Sequence, residues 1–147
     1  MTTAFESIDQ AVQALEQLKT QPLRSTGSWD VAHTVHHVAQ SVEYSLSGFP
    51  SLRQRWFRAT VGPLALKVFA ARGRMQHGLD APIPGAPEIA QGLPVAPAVD
   101  RAVAALRAFE QHRGALAPHF AYGSLDKAAY TRAHLMHLAD HWQAFVP

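Results

Sequence analysis

The chain has 147 residues, 48% of them hydrophobic and 16% charged, with ten prolines, nine glycines and no cysteine. One domain over 1–147, burying roughly two-thirds of its unfolded surface, needs no staples; the composition excludes a disordered chain, and the missing cysteine excludes a disulfide framework, a thiolate metal site and a cysteine nucleophile. Thirteen Lys/Arg against eleven Asp/Glu leave +2, a near balance that hides one asymmetry: no acid lies between Glu43 and Asp80, where Arg53, Arg55, Arg58, Lys67, Arg72 and Arg74 all fall.

The opening MTTAFESIDQ carries Glu6 and Asp9 and no apolar run, so it does not read as a secretory signal. No stretch approaches about 18 uncharged apolar residues, so no membrane span is expected and the expected setting is the cytoplasm. A first helix is predicted from about Ala4 to Thr20. Thr3 and Glu6 form a T-x-x-E capping box, and Phe5, Ile8, Val12, Leu15 and Leu18 recur at three and four. The Pro22–Gly27 stretch breaks it. Ser28 is the expected N-cap of a second helix to about Ser47, with Asp30 in its first turn and an apolar stripe of Val31, Val35, Val38, Val42 and Leu46. Gly48, Phe49 and Pro50 stop that one.

A third helix is predicted from about Leu52 to Arg72, with Trp56, Thr60, Leu64 and Val68 on one side and a kink or break at Pro63. Gly73 to Pro97 holds five of the ten prolines and four of the nine glycines. So long a loop in one domain is expected to be functional, covering one end of the fold near the histidines. Pro97, at a first helical position, opens a fourth helix to about Arg113 carried by Val99, Val103, Leu106 and Phe109. After a turn-rich stretch, Gly114 to Gly123, Ser124 is the expected cap of a last helix, Leu125 to about Phe145. No period-2 run appears. The pattern is all-α: a four-helix bundle with an additional helical segment and a long Pro/Gly-rich loop.

Six of the nine histidines fall in two clusters, His33, His36 and His37 in the second helix and His134, His137 and His141 in the last. The latter three lie within about 60° of one another on a helix, and His137 and His141 are a turn apart, close enough to reach one ion. His33 and His37 repeat that spacing, and His36 points about 100° away from His37. Facing helices that project imidazoles inward are how bundles build metal sites; the plainer reading is hydrogen-bonded structural histidines. No adjacent carboxylate supplies the base of an H-E-x-x-H site. His77, His112 and His119 lie in or near turns and are expected at the surface.

The strings HHVAQSVEYSLSGFP at 36–50, MQHGLDAPIPGAP at 75–87 and HFAYGSLDKAAYTRAHLMHLADHWQAF at 119–145 together resemble the DUF1569 family of the DinB-like superfamily. The resemblance runs from about Trp29 to Phe145. It implies an up-down-down-up bundle with a divalent metal (zinc, nickel or iron) held by one histidine of the second helix and an H-x-x-x-H pair of the last. By position these are His37, within V-H-H where the family has L-x-H, and His137 with His141. His33, His36 and His134 are off those positions. Asp140 stands where relatives often carry another histidine, and Trp142-Gln143 replaces the superfamily's Arg or Gly-Gln run. Relatives include transferases and isomerases that use mycothiol, bacillithiol or glutathione.

Two functions stay open on this reading. One is a metal-dependent enzyme of hydrolase or thiol-transferase type, acting on a small molecule with a low-molecular-weight thiol as cosubstrate. Tyr44 and Gln40, on the His37 face, are its candidate proton acceptors, and Gln40 could equally orient a ligand ring. The other is a non-catalytic bundle whose metal or polar pocket serves structure, ligand binding or dimerisation; a homodimer is allowed. An open ligand position discriminates for the first, and a fourth ligand from His33 or His134 for the second. Ser41 and Ser45 are read as packing residues. The basic stretch with Trp56 and Phe57 could bind nucleic acid, a membrane or an acidic substrate. The expectation is instead a core-packed aromatic pair with solvated arginines, no nucleic acid or membrane partner, and at most an anion-binding rim beside the metal pocket.

Overall fold

The computed structural model describes residues 4–75 and 78–147, so Thr3 and His77 lie outside the described residues. Its elements are α1 (Ile8–Gln17), β1 (Arg24–Ser25), α2 (Val31–Ser47), α3 (Arg55–Ala59), α4 (Val61–Arg72), α5 (Val95–Gln111), α6 (Lys127–Trp142) and β2 (Phe145–Val146). Among the described residues no helix is long and apolar enough to cross a membrane.

Helices α1, α2, α5 and α6 pack in a ring, α5 against α1 and α2, and α6 against α2 and α1. Their apolar stripes make one core. Ile8, Ala11 and Leu15 come from α1, Val31, Val35, Val38 and Val42 from α2, Val99, Ala102, Leu106 and Phe109 from α5, and Tyr130, Leu135 and Leu138 from α6. Each large side chain buried here contributes roughly 1.5–3 kcal/mol. A smaller cluster of Leu66, Met75, Ala133 and Met136 joins α4 to α6. Lys127, at the start of α6, donates to the carbonyls of Phe109, Glu110 and His112 and so satisfies the open end of α5.

Several boundaries differ from the sequence expectation, each for a local reason. Helix α1 starts at Ile8 because Ser7 takes its N-cap, accepting from the Gln10 N–H, while Gln10 Oε1 accepts from the Glu6 N–H. Asp30, not Ser28, caps α2; its Oδ1 accepts from the His33 N–H and its Oδ2 from the Gly92 N–H. Asp126, not Ser124, caps α6. Pro97 is the third residue of α5, not the first, still within the turn whose N–H groups have no helical partner. The break expected at Pro63 falls at Thr60, between α3 and α4. A proline ring clashes with the carbonyl four residues back, here Ala59, so the chain must leave the helix between them. The last helix stops at Trp142, and Phe145–Val146 pairs antiparallel with Arg24–Ser25. Two-residue strands are too short to show an alternating pattern.

In the third helical region the side carrying Trp56, Thr60, Leu64 and Val68 faces solvent. Trp56, Leu64 and Val68 are exposed, while Gly62 and Leu66 face inward. A Cβ on Gly62 would sit 1.7 Å from the Ala121 carbonyl oxygen, so only glycine lets α4 come this close to the 119–123 turn. The second half of the 78–94 loop is pinned to α2 at two points: Gln40 donates to the Pro87 carbonyl, and Gln91 accepts from the N–H of Asp30, the α2 cap.

Candidate metal centre

The i, i+4 spacing on α6 places His137 and His141 on one face, and the α2–α6 packing sets His37 opposite them. His37 Nε2 lies 3.2 Å from His137 Nε2, and His137 Nε2 lies 3.2 Å from His141 Nε2. One ring nitrogen from each of the three lies within 4.8 Å of the others. His37 and His141 are buried and His137 is half-buried.

Three identical nitrogens at this range make a poor hydrogen-bond set, because each neutral ring offers its Nε2 either a proton or a lone pair. A cation accepts all three lone pairs at once. The spacing suits one: a tetrahedron with nitrogen bonds of ~2.0 Å has edges of about 3.3 Å. The donor set therefore fits a divalent metal. Trp29 packs over this cluster, stacked on His33 at 4.3 Å between ring centroids and lying 5.0 Å from His37 and 6.2 Å from His141.

The other clustered histidines are engaged elsewhere. Ser45 donates its only proton to the Val42 carbonyl, so its oxygen must accept from the His134 Nε2–H at 3.1 Å. Burial pushes His134 down to about 3, so the ring is neutral. His36 accepts at Nδ1 from Arg101, which is itself held in a bidentate pair by Glu43. Burial, then the Arg101 charge, pushes the His36 pKa down. His33 is buried beneath Trp29 with its pKa lowered by burial. Among the described residues neither His33 nor His134 joins the converging three.

His119, expected at the surface, is buried. Its Nδ1 accepts from the Ala121 and Tyr122 N–H groups, and its ring stacks on Tyr122 at 4.3 Å. Burial holds it down at about 3. Protonating Nδ1 would also break both hydrogen bonds.

His37 and His137 line a cavity of ≈ 300 Å³ whose walls include Ser41, Phe57, Met75, Ile83 and Tyr122, with Arg53 among them. The Pro/Gly-rich loop thus reaches the histidines through Pro82, Ile83 and Pro84. Gln40 and Tyr44 do not line it. Gln40 is committed to Pro87, and Tyr44 packs on Phe49 at 5.6 Å. Burial, and then the charge of Asp140, pushes the Tyr122 phenol up to about 12. Asp140 is itself buried and accepts from Gln143 Nε2.

Sequence reasoning missed Trp29, Arg53 and Tyr122 as parts of this site. Trp29 left a signal, standing four and eight residues before His33 and His37. Arg53 left one in the acid-free basic stretch, read as at most an anion-binding rim, while Tyr122 left none, since it reaches the cavity from a turn outside the helices. A family described as a protein of unknown function (DUF1569) matches residues 1–147. No curated protein and no solved structure matches the chain.

Proposed function

The chain belongs to the DUF1569 family, and from that premise we propose that it is a metal-dependent enzyme of DinB-like architecture, hydrolase or thiol-dependent transferase in type, acting on a small molecule. The observation that carries the proposal is that His37 and His137 belong both to the converging nitrogen cluster and to the wall of the cavity. A buried ion serving structure alone would have no use for that opening. In this reading α1, α2, α5 and α6 are the up-down-down-up bundle, and α3 with α4 is the additional segment.

His37, His137 and His141 would hold the ion, and imidazole suits zinc, nickel and iron alike. Bound there, a divalent ion supplies Lewis acidity and depresses the pKa of water or a thiol. The chain's own residues set the surroundings. Trp29 packs against the ligand rings and fixes their planes. Ile83 and Met75, both buried, line the cavity with apolar surface that excludes water. Tyr122 keeps its proton at neutral pH and so offers a hydrogen-bond donor rather than a base. Ser41, one turn from His37, adds a hydroxyl. With no cysteine in the chain, thiol transfer would draw on a low-molecular-weight thiol from solution.

Elemental analysis of untagged protein tests the reading, with one equivalent of divalent metal expected. Titrating glutathione into cobalt-substituted protein should then give a sulfur-to-cobalt charge-transfer band that His137→Ala lacks. Metal without the band turns the reading from thiol transfer towards hydrolysis or a purely structural metal; wild-type protein that binds no divalent metal overturns the proposal.

A further inference from the structure

The cavity beside the histidines carries a charge pattern that the proposed function does not use. Arg53 is the one residue with a formal charge among its described lining residues, and no Asp or Glu lines it. His119 and His134, also on the wall, are held neutral by burial. Asp140 acts on Tyr122 but does not line the cavity.

Arg53 is also placed rather than free to wander. Its backbone N–H donates to the Phe120 carbonyl at 2.9 Å, and its own carbonyl accepts from Arg58 Nε at 2.9 Å. Its guanidinium lies 4.8 Å from the centroid of the Phe57 ring, itself part of the wall. Among the described residues no carboxylate pairs with it, whereas Arg101 holds one and Lys19 and Arg107 hold two each. The chain offers no acid nearby in sequence, from Tyr44 to Leu79. Arg53 is exposed while Met75 and Ile83 are buried, so the charge stands where the cavity meets solvent and apolar walls lie behind it. A cleft with one sign of charge and low-dielectric walls concentrates the opposite ion, and a guanidinium matches a planar carboxylate through two parallel hydrogen bonds.

We infer that the cavity takes a small organic anion with an apolar body, its carboxylate-like end on Arg53 and its apolar part against Phe57, Met75 and Ile83. The inference deepens the proposed function, because it rests on that reading for the reacting end of the substrate at the histidines. The recognition half stands on Arg53 alone.

Calorimetric titration with octanoate and with octanamide, equal in length and differing in charge, tests it on zinc-loaded and on chelator-treated protein. Octanoate should bind at least about tenfold more tightly than octanamide in both forms, the worth of one charge-assisted contact. Arg53→Gln should remove that preference while leaving zinc content unchanged. Arg53→Lys should restore part of it, since lysine keeps the charge and loses the paired geometry. Equal affinity for the two probes, or a preference that survives Arg53→Gln, overturns the inference. Absence of zinc from wild-type protein, with the Arg53-dependent preference intact, instead counts against the proposed metal enzyme.

Discussion

His37→Ala, His137→Ala and His141→Ala should each lower metal content sharply, because each removes one of three converging nitrogens. His36→Ala should leave it nearly unchanged, since that ring is turned to Arg101 and Glu43 between α2 and α5. Equal loss in all four variants, read by elemental analysis, would overturn the assignment. The contrast between neighbouring His36 and His37 shows what spacing alone can convey. A 100° step separates their directions on any helix, so no more than one of the two can face α6; that it is His37 was implied by the family resemblance and not by the spacing. The environment of His119 was not. Its position in a turn-rich stretch suggests solvent, but Phe49, Phe120, Tyr122 and Tyr130 pack around its ring.

At the level of elements, the helices were legible and their ends were not. Thr3, Ser28 and Ser124 each offer a side-chain oxygen of the right kind, but Ser7, Asp30 and Asp126 hold the caps, and in α2 a distant contact accompanies the choice. Asp30 wins in α2 because one carboxylate serves both the His33 and the Gly92 N–H groups. Asp30→Ala should therefore cost more than the ~1 kcal/mol typical of a lost cap, and more than Ser7→Ala, whose oxygen serves Gln10 alone. Urea unfolding compares the two directly, and equal losses would deny Asp30 its second role. The inward face of α4 was not legible because the helix is apolar nearly all round, which leaves periodicity nothing to choose between. Gly62 fixes that choice. Gly62→Ala should cost about 3 kcal/mol, at the upper end for an overpacked site, because the clash is with the Ala121 backbone rather than with a side chain that can turn away. A urea midpoint unchanged from wild type would show that α4 does not need this approach.

For the molecule as a whole, two buried neutral rings tie folding to pH. His119 and His134 are each held at about 3 in the folded chain and return to an ordinary value near 6.5 on unfolding. The unfolded chain therefore takes up protons first. The stability these rings confer is complete above about pH 6.5 and is lost progressively as pH falls towards about 3, by up to about 1.4 kcal/mol per pH unit for each ring. Urea unfolding of metal-free protein at pH 7, 5.5 and 4.5 should show this slope. His134→Gln, which keeps a donor for Ser45 without a titrating ring, should make it shallower; an unchanged slope would remove His134 from the account. The three tryptophans divide the same molecule into separately visible parts. Trp29 packs beside His37 and His141, Trp56 is exposed on α3, and Trp142 packs edge-on to Phe5 and beside Phe145. An indole in van der Waals range of a copper or cobalt ion gives up its excitation before it can emit. Filling the histidine site with either ion should darken Trp29 selectively, leaving the other two bright, and Trp29→Phe should erase the response, so the protein carries its own unlabelled optical gauge of occupancy.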